Sequence, residues 1–192
     1  MLIAAATDLE CSLVRNHART IVTGVGVANA AHALTKAVES ERPDRIILVG
    51  IGGAYPNSGL SIGDVVCAES ECYGDMGVEA PDGFLDIQTL GFLETTFEMH
   101  VFPAPHRGRF VTVSTCSGTD QLSQRIQVRT QGAVENMEGA AIAQIAASYK
   151  IPCGEIRGIS NFTGNRDRKS WKIPEAAMAA QSVLIDWLKI TP

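Results

Sequence analysis

Glu138 stands in the stretch VENMEGAAIAQIA, four residues before Ile142 and seven before Ile145. On a helix it would share a face with those apolar side chains. A carboxylate turned toward a core costs several kcal/mol unless something polar meets it. A helix N-terminus returns only about 0.3–1 kcal/mol. Glu138 therefore either opens onto a cleft or meets a polar partner. Carboxylates in clefts remove protons or sit beside developing positive charge. Glu10 is a second candidate, although Thr7-x-x-Glu10 also fits a helix-capping box. Gly50-Ile51-Gly52-Gly53 suits tight packing as well as an anion cradle. It is neither GxGxxG nor a Walker loop, since no GK[ST] follows. Ser117-Gly118-Thr119-Asp120 reads as a helix cap or a ligand-facing loop. Ser160 and Asn161, ahead of FTGN, read as turn chemistry or as a polar pair beside a ligand. Together these residues describe a cleft lined by two or three carboxyls, an asparagine and a glycine turn. They include no metal cluster, no Cys/His pair and no phosphate loop.

These groups lie at the ends of elements that can carry them. LIAAA (2–6), RTIVTGVG (19–26), DRIILVGIGGA (44–54), GDVVCAESECY (63–73), RFVTVSTC (109–116) and CGEIRGISN (153–161) read as strands, several continuously apolar. VANAAHALTKAVES (27–40), a helix starting in SGTDQLSQRIQ (117–127), NMEGAAIAQIAASYK (136–150) and PEAAMAAQSVLIDWLK (174–189) read as helices. Strands alternating with helices predict an α/β fold, with a mixed, largely parallel central sheet flanked by helices. No repeat or linker interrupts the chain, so residues 1–192 form one expected domain. In open sheets of this class ligands bind beyond the carboxyl ends of the strands, which is where the candidates fall. Residues 74–108 are rich in Gly and Pro and read as a long, function-bearing loop with one short helix.

Bulk properties exclude several functions. The formal net charge is −5, and Arg166, Arg168 and Lys169, the densest basic group, are interrupted by Asp167, so no nucleic acid is expected as partner. The five cysteines have no CxxC spacing, which argues against a disulfide framework and a zinc site. Asp8 comes too early for a signal segment, and no apolar run would span a bilayer. A soluble, cytoplasmic protein without membrane association is the expectation.

In order, GIGGA…GDVV, SGTD, NMEGAAIAQIA and EIRGISN resemble the nucleoside phosphorylase and nucleosidase family over nearly the whole chain. VGIGGAYPNSGLSIGDVVCAESECYGDMGVE, VENMEGAA and RGISNFTGNRD look most like that family's futalosine hydrolase branch. The resemblance implies cleavage of an N-ribosidic bond in a small nucleoside, in a route to menaquinone, with no cofactor and no metal. Implied alternatives are a methylthioadenosine/S-adenosylhomocysteine nucleosidase and a non-catalytic nucleoside binder.

The resemblance also implies roles. Glu10 orients or activates the attacking water. Glu138 accepts hydrogen bonds from the two ribose hydroxyls, Met137 packs under the sugar, and Gly53 lies close to ribose and nucleophile. Asn136 and Ser160 complete the substrate-binding set, and Asn161 meets the departing purine. Phosphorylases of the family hold phosphate with basic residues; the matching ATDLE and IILVGIGG have none, which implies water as nucleophile. Adenine-releasing relatives carry Asp where Asn161 stands. An amide cannot act as an acid but can donate to O6 and still meet N7, which implies hypoxanthine as leaving base. The family also implies a homo-oligomer, a dimer or higher, although few residues separate Leu13 from RTIVTG, where relatives often have an extra strand pair. Neither Gln121 nor Leu122 is a stacking platform, so Phe84, Phe92 and Phe97 are the candidate apolar wall. The side facing the ribose 5′ position is expected from residues 74–108.

Overall fold

The computed structural model describes residues 1–190. Its elements run β1 (Leu2–Ala5), β2 (Thr20–Val22), α1 (Val27–Ser40), β3 (Ile46–Ala54), β4 (Val65–Tyr73), β5 (Gly77–Ala80), β6 (Gly83–Asp86), β7 (Thr96–Glu98), β8 (His106–Thr112), α2 (Asp120–Thr130), β9 (Val134–Asn136), α3 (Gly139–Ser148), β10 (Cys153–Phe162) and α4 (Ile173–Ile190). Short 3-10 turns cover Leu9–Cys11 and Val14–Asn16.

Continuously apolar strands form because both faces of the sheet are covered. Side chains alternate, so Leu2, Ala4, Ile46 and Leu48 join one core with Leu34 of α1 and Ile142 of α3. Ile3, Ala5, Ile47 and Val49 join the other with Ala180, Leu184 and Trp187 of α4. The sheet is mixed, as expected. β1–β2, β1–β3, β3–β10, β4–β8 and β8–β9 run parallel; β3–β9, β4–β10 and β4–β7 run antiparallel. The expectation of a largely parallel layer needs correction, because β3, β9, β8, β4 and β10 close on themselves into a barrel-like ring. β1 and β2 extend the sheet outward from β3.

Two local expectations change. VENMEG is not the first turn of a helix: Val134–Asn136 is a short strand and α3 begins at Gly139. Residues 74–108 are not a loop with a helix. They hold the β5–β6 hairpin and β7, which pairs with β4. Pro81-Asp82-Gly83 turns the hairpin, with Gly83 at φ 125°. The hairpin strands are largely exposed, so they lack the apolar alternation that marks a strand in sequence.

Candidate active site

The site forms where β3 changes neighbours. Along one edge β3 pairs with β10 from Ile46 to Ala54. Along the other it pairs with β1 over Ile46–Leu48 and with β9 over Gly53–Ala54. Between those two partners a stretch of edge backbone is left to side chains. The Ile51 amide donates to Glu10 Oε1 at 3.0 Å, and the Ile51 carbonyl accepts from Arg157 Nη1 at 2.8 Å. Thr7 Oγ1 donates to the other Glu10 oxygen at 2.7 Å. Glu10 is 5% exposed and does not cap its own helical turn. The capping-box reading is thus replaced by a carboxylate held against β3. Gly50 makes room for it, because a Cβ there would stand 2.8 Å from both Glu10 Oε1 and Arg157 Nη1.

β9 ends at Asn136, and the chain turns through Met137 and Glu138 into α3. Asn136 Oδ1 accepts from the amides of Glu138 (2.9 Å) and Gly139 (2.7 Å), and Thr112 Oγ1 accepts from Ala140 (2.8 Å). These bonds satisfy the free amides of the α3 N-terminus and fix the direction of Glu138. The Glu138 carboxylate already has partners. Oε1 accepts from the Gly26 amide at the start of α1 (3.0 Å), and Oε2 faces Arg157 Nη2 (3.3 Å). Arg157 also donates from Nε to Glu155 at 2.6 Å. Burial alone pulls the Arg157 guanidinium down, but Glu155, Glu138 and Glu10 outweigh it and hold it above its ordinary value. One buried cation thus stands among three carboxylates.

A cavity of about 480 Å³ opens over this edge, a size suited to a small organic ligand. Glu10, Gly53, Met137, Glu138 and Asn161 line it. A β-bulge in β10 between Ile159 and Asn161 aims Asn161 at Gly53; a Cβ on Gly53 would lie 3.1 Å from Asn161 Nδ2. Ser160 Oγ donates to Asn161 Oδ1 at 2.7 Å, and Asn161 Nδ2 donates to the Phe162 carbonyl at 2.9 Å, leaving the second amide hydrogen for a ligand. Glu135, across Gly53 in β9, accepts from Ser117 N (2.8 Å), Ser117 Oγ (2.5 Å) and Tyr55 Oη (2.9 Å). Burial raises its pKa, against the pull of those donors.

The phosphorylase superfamily model matches residues 11–189. A futalosine hydrolase of Streptomyces coelicolor is 37% identical over 83% of this chain and 73% of that protein. The one from Thermus thermophilus is 31% identical over 82% and 75%. The chain belongs to the phosphorylase superfamily and, within it, to the futalosine hydrolase family. The fold extends to a 5′-methylthioadenosine/S-adenosylhomocysteine nucleosidase of Neisseria meningitidis, with a TM-score of 0.85 and 18% identity, covering 99% of this chain and 98% of that one.

For a member of this family, the expected set Glu10, Asn136, Met137, Glu138, Gly53, Ser160 and Asn161 does come together at one cavity. Two of these turn inward. The Asn136 side chain holds the α3 amides and Glu71, and Ser160 serves Asn161. Phe84, Phe92 and Phe97 do not line the cavity, nor does any residue of 74–108; Phe162 and Trp171 supply aromatic wall instead. Phe84 lies under Arg129, Phe97 against Tyr73, and Phe92 is exposed. Both alternatives for Glu138 hold at once: it lines the cavity, and Arg157 and Gly26 meet its carboxylate. Arg157 and Glu155 escaped the sequence reading. The signal was present: two opposite charges at i and i+2 in CGEIRGIS fall on one face of a buried strand. Among the described residues no His, Cys, Asp and Glu group could hold a metal, all five cysteines are free thiols, and no helix is long and apolar enough to cross a membrane.

Proposed function

We infer that this protein hydrolyses the N-ribosidic bond of futalosine, releasing hypoxanthine and dehypoxanthine futalosine, in menaquinone biosynthesis. The observation that carries this reading is that Glu10, held by the Ile51 amide, and Glu138, held by the Gly26 amide, line one cavity together with Asn161. Breaking the bond moves its electron pair onto the base and leaves an oxocarbenium-like sugar. Glu138 takes the two ribose hydroxyls and adds negative charge beside the cationic sugar, with Met137 packed beneath it. Glu10 accepts a proton from the water that attacks the anomeric carbon. Its own orientation is fixed by Thr7 and Ile51. Asn161 donates its remaining amide hydrogen to the departing 6-oxopurine, which takes its proton from water. Arg157, though at the cavity, is committed to Glu155, Glu138 and Ile51, and Arg166, the other arginine of the lining, lies over the Trp171 ring; in this reading neither clamps a phosphate, and water is the nucleophile. Assembly as a homo-oligomer belongs to the same reading. Leu9, Val25 and Phe162, exposed apolar residues at the cavity, support it. So does a cytoplasmic setting, in keeping with the free thiols.

The test is to incubate the purified protein with futalosine, inosine or methylthioadenosine in phosphate-free buffer and follow the free base by chromatography. Hypoxanthine from futalosine, at a rate that added phosphate leaves unchanged, is expected. Faster adenine release from methylthioadenosine, or binding without base release over hours, overturns the reading.

A further inference from the structure

Two more carboxyls lie behind the Glu138 turn, outside the cavity. Glu71 of β4 and Glu155 of β10 are completely buried. They meet at the first residue of α3: a Cβ on Gly139 would run into Glu71 Oε2 and stand 2.6 Å from Glu155 Oε2. Both Oε2 atoms thus crowd the same point beside Gly139. Glu155 Oε1 takes Arg157 Nε, but Glu155 Oε2 receives no N–H or ordinary O–H from any described residue. Glu71 Oε1 lies 2.9 Å from the Thr112 hydroxyl, and Oε2 accepts from Asn136 Nδ2 at 2.9 Å. Two fully buried carboxylates crowding one point repel, and an orphaned buried acceptor adds its own desolvation penalty.

We propose that Glu71 and Glu155 hold one proton between them, donated by Glu71 Oε2 to Glu155 Oε2, and that this pair positions the turn presenting Glu138. One proton removes one charge and fills the orphaned acceptor. Burial first, and then Glu155, raise the Glu71 pKa well above the carboxylate range, consistent with the proton residing there. The other charged or titratable groups around the pair are Arg157 and Cys153 of β10, Cys67, Cys72 and Tyr73 of β4, and Tyr55 after β3. Arg157 is the cation among them. The pair acts on Glu138 by two routes. Glu71 fixes Asn136, whose carbonyl holds the Glu138 and Gly139 amides. Glu155 fixes Arg157, whose Nη2 meets the Glu138 carboxylate. Glu71 and Glu155 are positioning residues. This inference rests on the reading of Glu138 as the ribose ligand.

Infrared difference spectroscopy at pH 8, without substrate, tests the proton. In Glu155→Gln the new amide donates to Glu71, which can then ionise without losing a hydrogen bond. Wild type minus Glu155→Gln should show a protonated-carboxyl C=O band that shifts in D₂O, and Glu71→Gln should lack the same band. A band kept by both variants, or missing from the wild type, overturns the shared proton. Kinetics test the positioning. Glu71→Leu should lower kcat/KM for futalosine at least 100-fold, and the loss should shrink below 5-fold in a Glu138→Gln background. Equal losses in both backgrounds mean a merely structural role and overturn it. Should Glu71→Leu not fold, Glu71→Gln, which loses only the Asn136 link, takes its place with an expected loss of at least 10-fold. If the wild type releases no hypoxanthine, the functional reading fails, while the infrared measurement still decides the pair.

Discussion

Replacing Arg157 by methionine removes the buried cation of the site while keeping an unbranched side chain of similar length. Arg157 is 2% exposed, Glu138 3% and Glu155 0%, so solvent screens these pairs little. Three hydrogen bonds go, to Glu155 Oε1, Glu138 Oε2 and the Ile51 carbonyl. Glu10 also loses a neighbouring positive charge. Breaking a buried ion pair by deleting one partner costs about 3–5 kcal/mol, most of it from the uncompensated charge left behind. In a chain of this length each kcal/mol moves the melting temperature by roughly 2–4 °C. The expected fall is therefore roughly 6–20 °C at pH 8. The pH dependence follows from linkage. In the variant the unpaired buried carboxylates bind protons more readily when folded than when unfolded. Its stability therefore declines as pH rises above the ordinary carboxylate range and recovers as pH falls toward it. Thermal unfolding followed by circular dichroism at pH 5.5 and pH 8 measures both. A melting temperature within about 3 °C of wild type at pH 8, or a gap that widens on acidification, refutes the reasoning.

Four other substitutions probe the remaining links. Glu10→Gln keeps partners for Thr7 and Ile51 and should retain the fold while kcat falls about 10²–10⁴-fold; an unchanged kcat in the hypoxanthine-release assay removes Glu10 from water activation. Glu138→Gln offers one acceptor to two donors, Gly26 N and Arg157 Nη2. It should cost about 1–3 kcal/mol in urea unfolding and lower kcat/KM by roughly 100-fold or more, since charged hydrogen bonds are worth about 1.5–3 kcal/mol each; a kcat/KM within threefold of wild type counts against ribose binding there. Asn161→Asp should shift the kcat/KM ratio from futalosine toward its 6-amino analogue by about tenfold or more, because a carboxylic acid can hand a proton to N7; an unmoved ratio shows that the amide does not choose the base. Gly139→Ala ought to gain about 1 kcal/mol in an ordinary helix interior. Here its Cβ meets Glu71 and Glu155, so denaturant unfolding should show a net loss of about 1–3 kcal/mol, and a net gain would falsify the placement of the two carboxyls.

The strands and helices were legible because burial on both faces leaves long apolar runs, and because Pro and Gly punctuate them. α1 spans the same residues in sequence and structure, Val27 to Ser40. α2 begins where SGTD predicts, with Thr119 as N-cap accepting from Leu122 N. What pattern could not supply was any fact that depends on which strands meet. Closure of the ring requires β3 to pair with β10, about a hundred residues away, and no local periodicity encodes that. The hairpin at Gly77–Asp86 lacks a buried face, so its strands carry no alternation to read.

The same distinction explains the site. Glu10, Glu138 and Asn161 lie near strand ends among small and polar residues, so their types and spacing stand out locally. Arg157, Glu155 and Glu71 lie inside strands that otherwise read as plain core, and their meaning appears only when β3, β4, β9 and β10 are brought together. Glu71 and Glu155 come from β4 and β10, which pair antiparallel, and both carboxyls reach the start of α3 only because Gly139 has no side chain in the way. The buried charges are thus a consequence of the closed ring. One face of β10 must carry Arg157 to satisfy Glu138, Arg157 then requires Glu155, and Glu155 next to Glu71 requires a proton. The carboxylate that looked misplaced on an apolar helix face is the outermost carboxyl of that chain, and it meets the cavity with Arg157, Glu10 and Asn161, while Glu155 and Glu71 stay behind it.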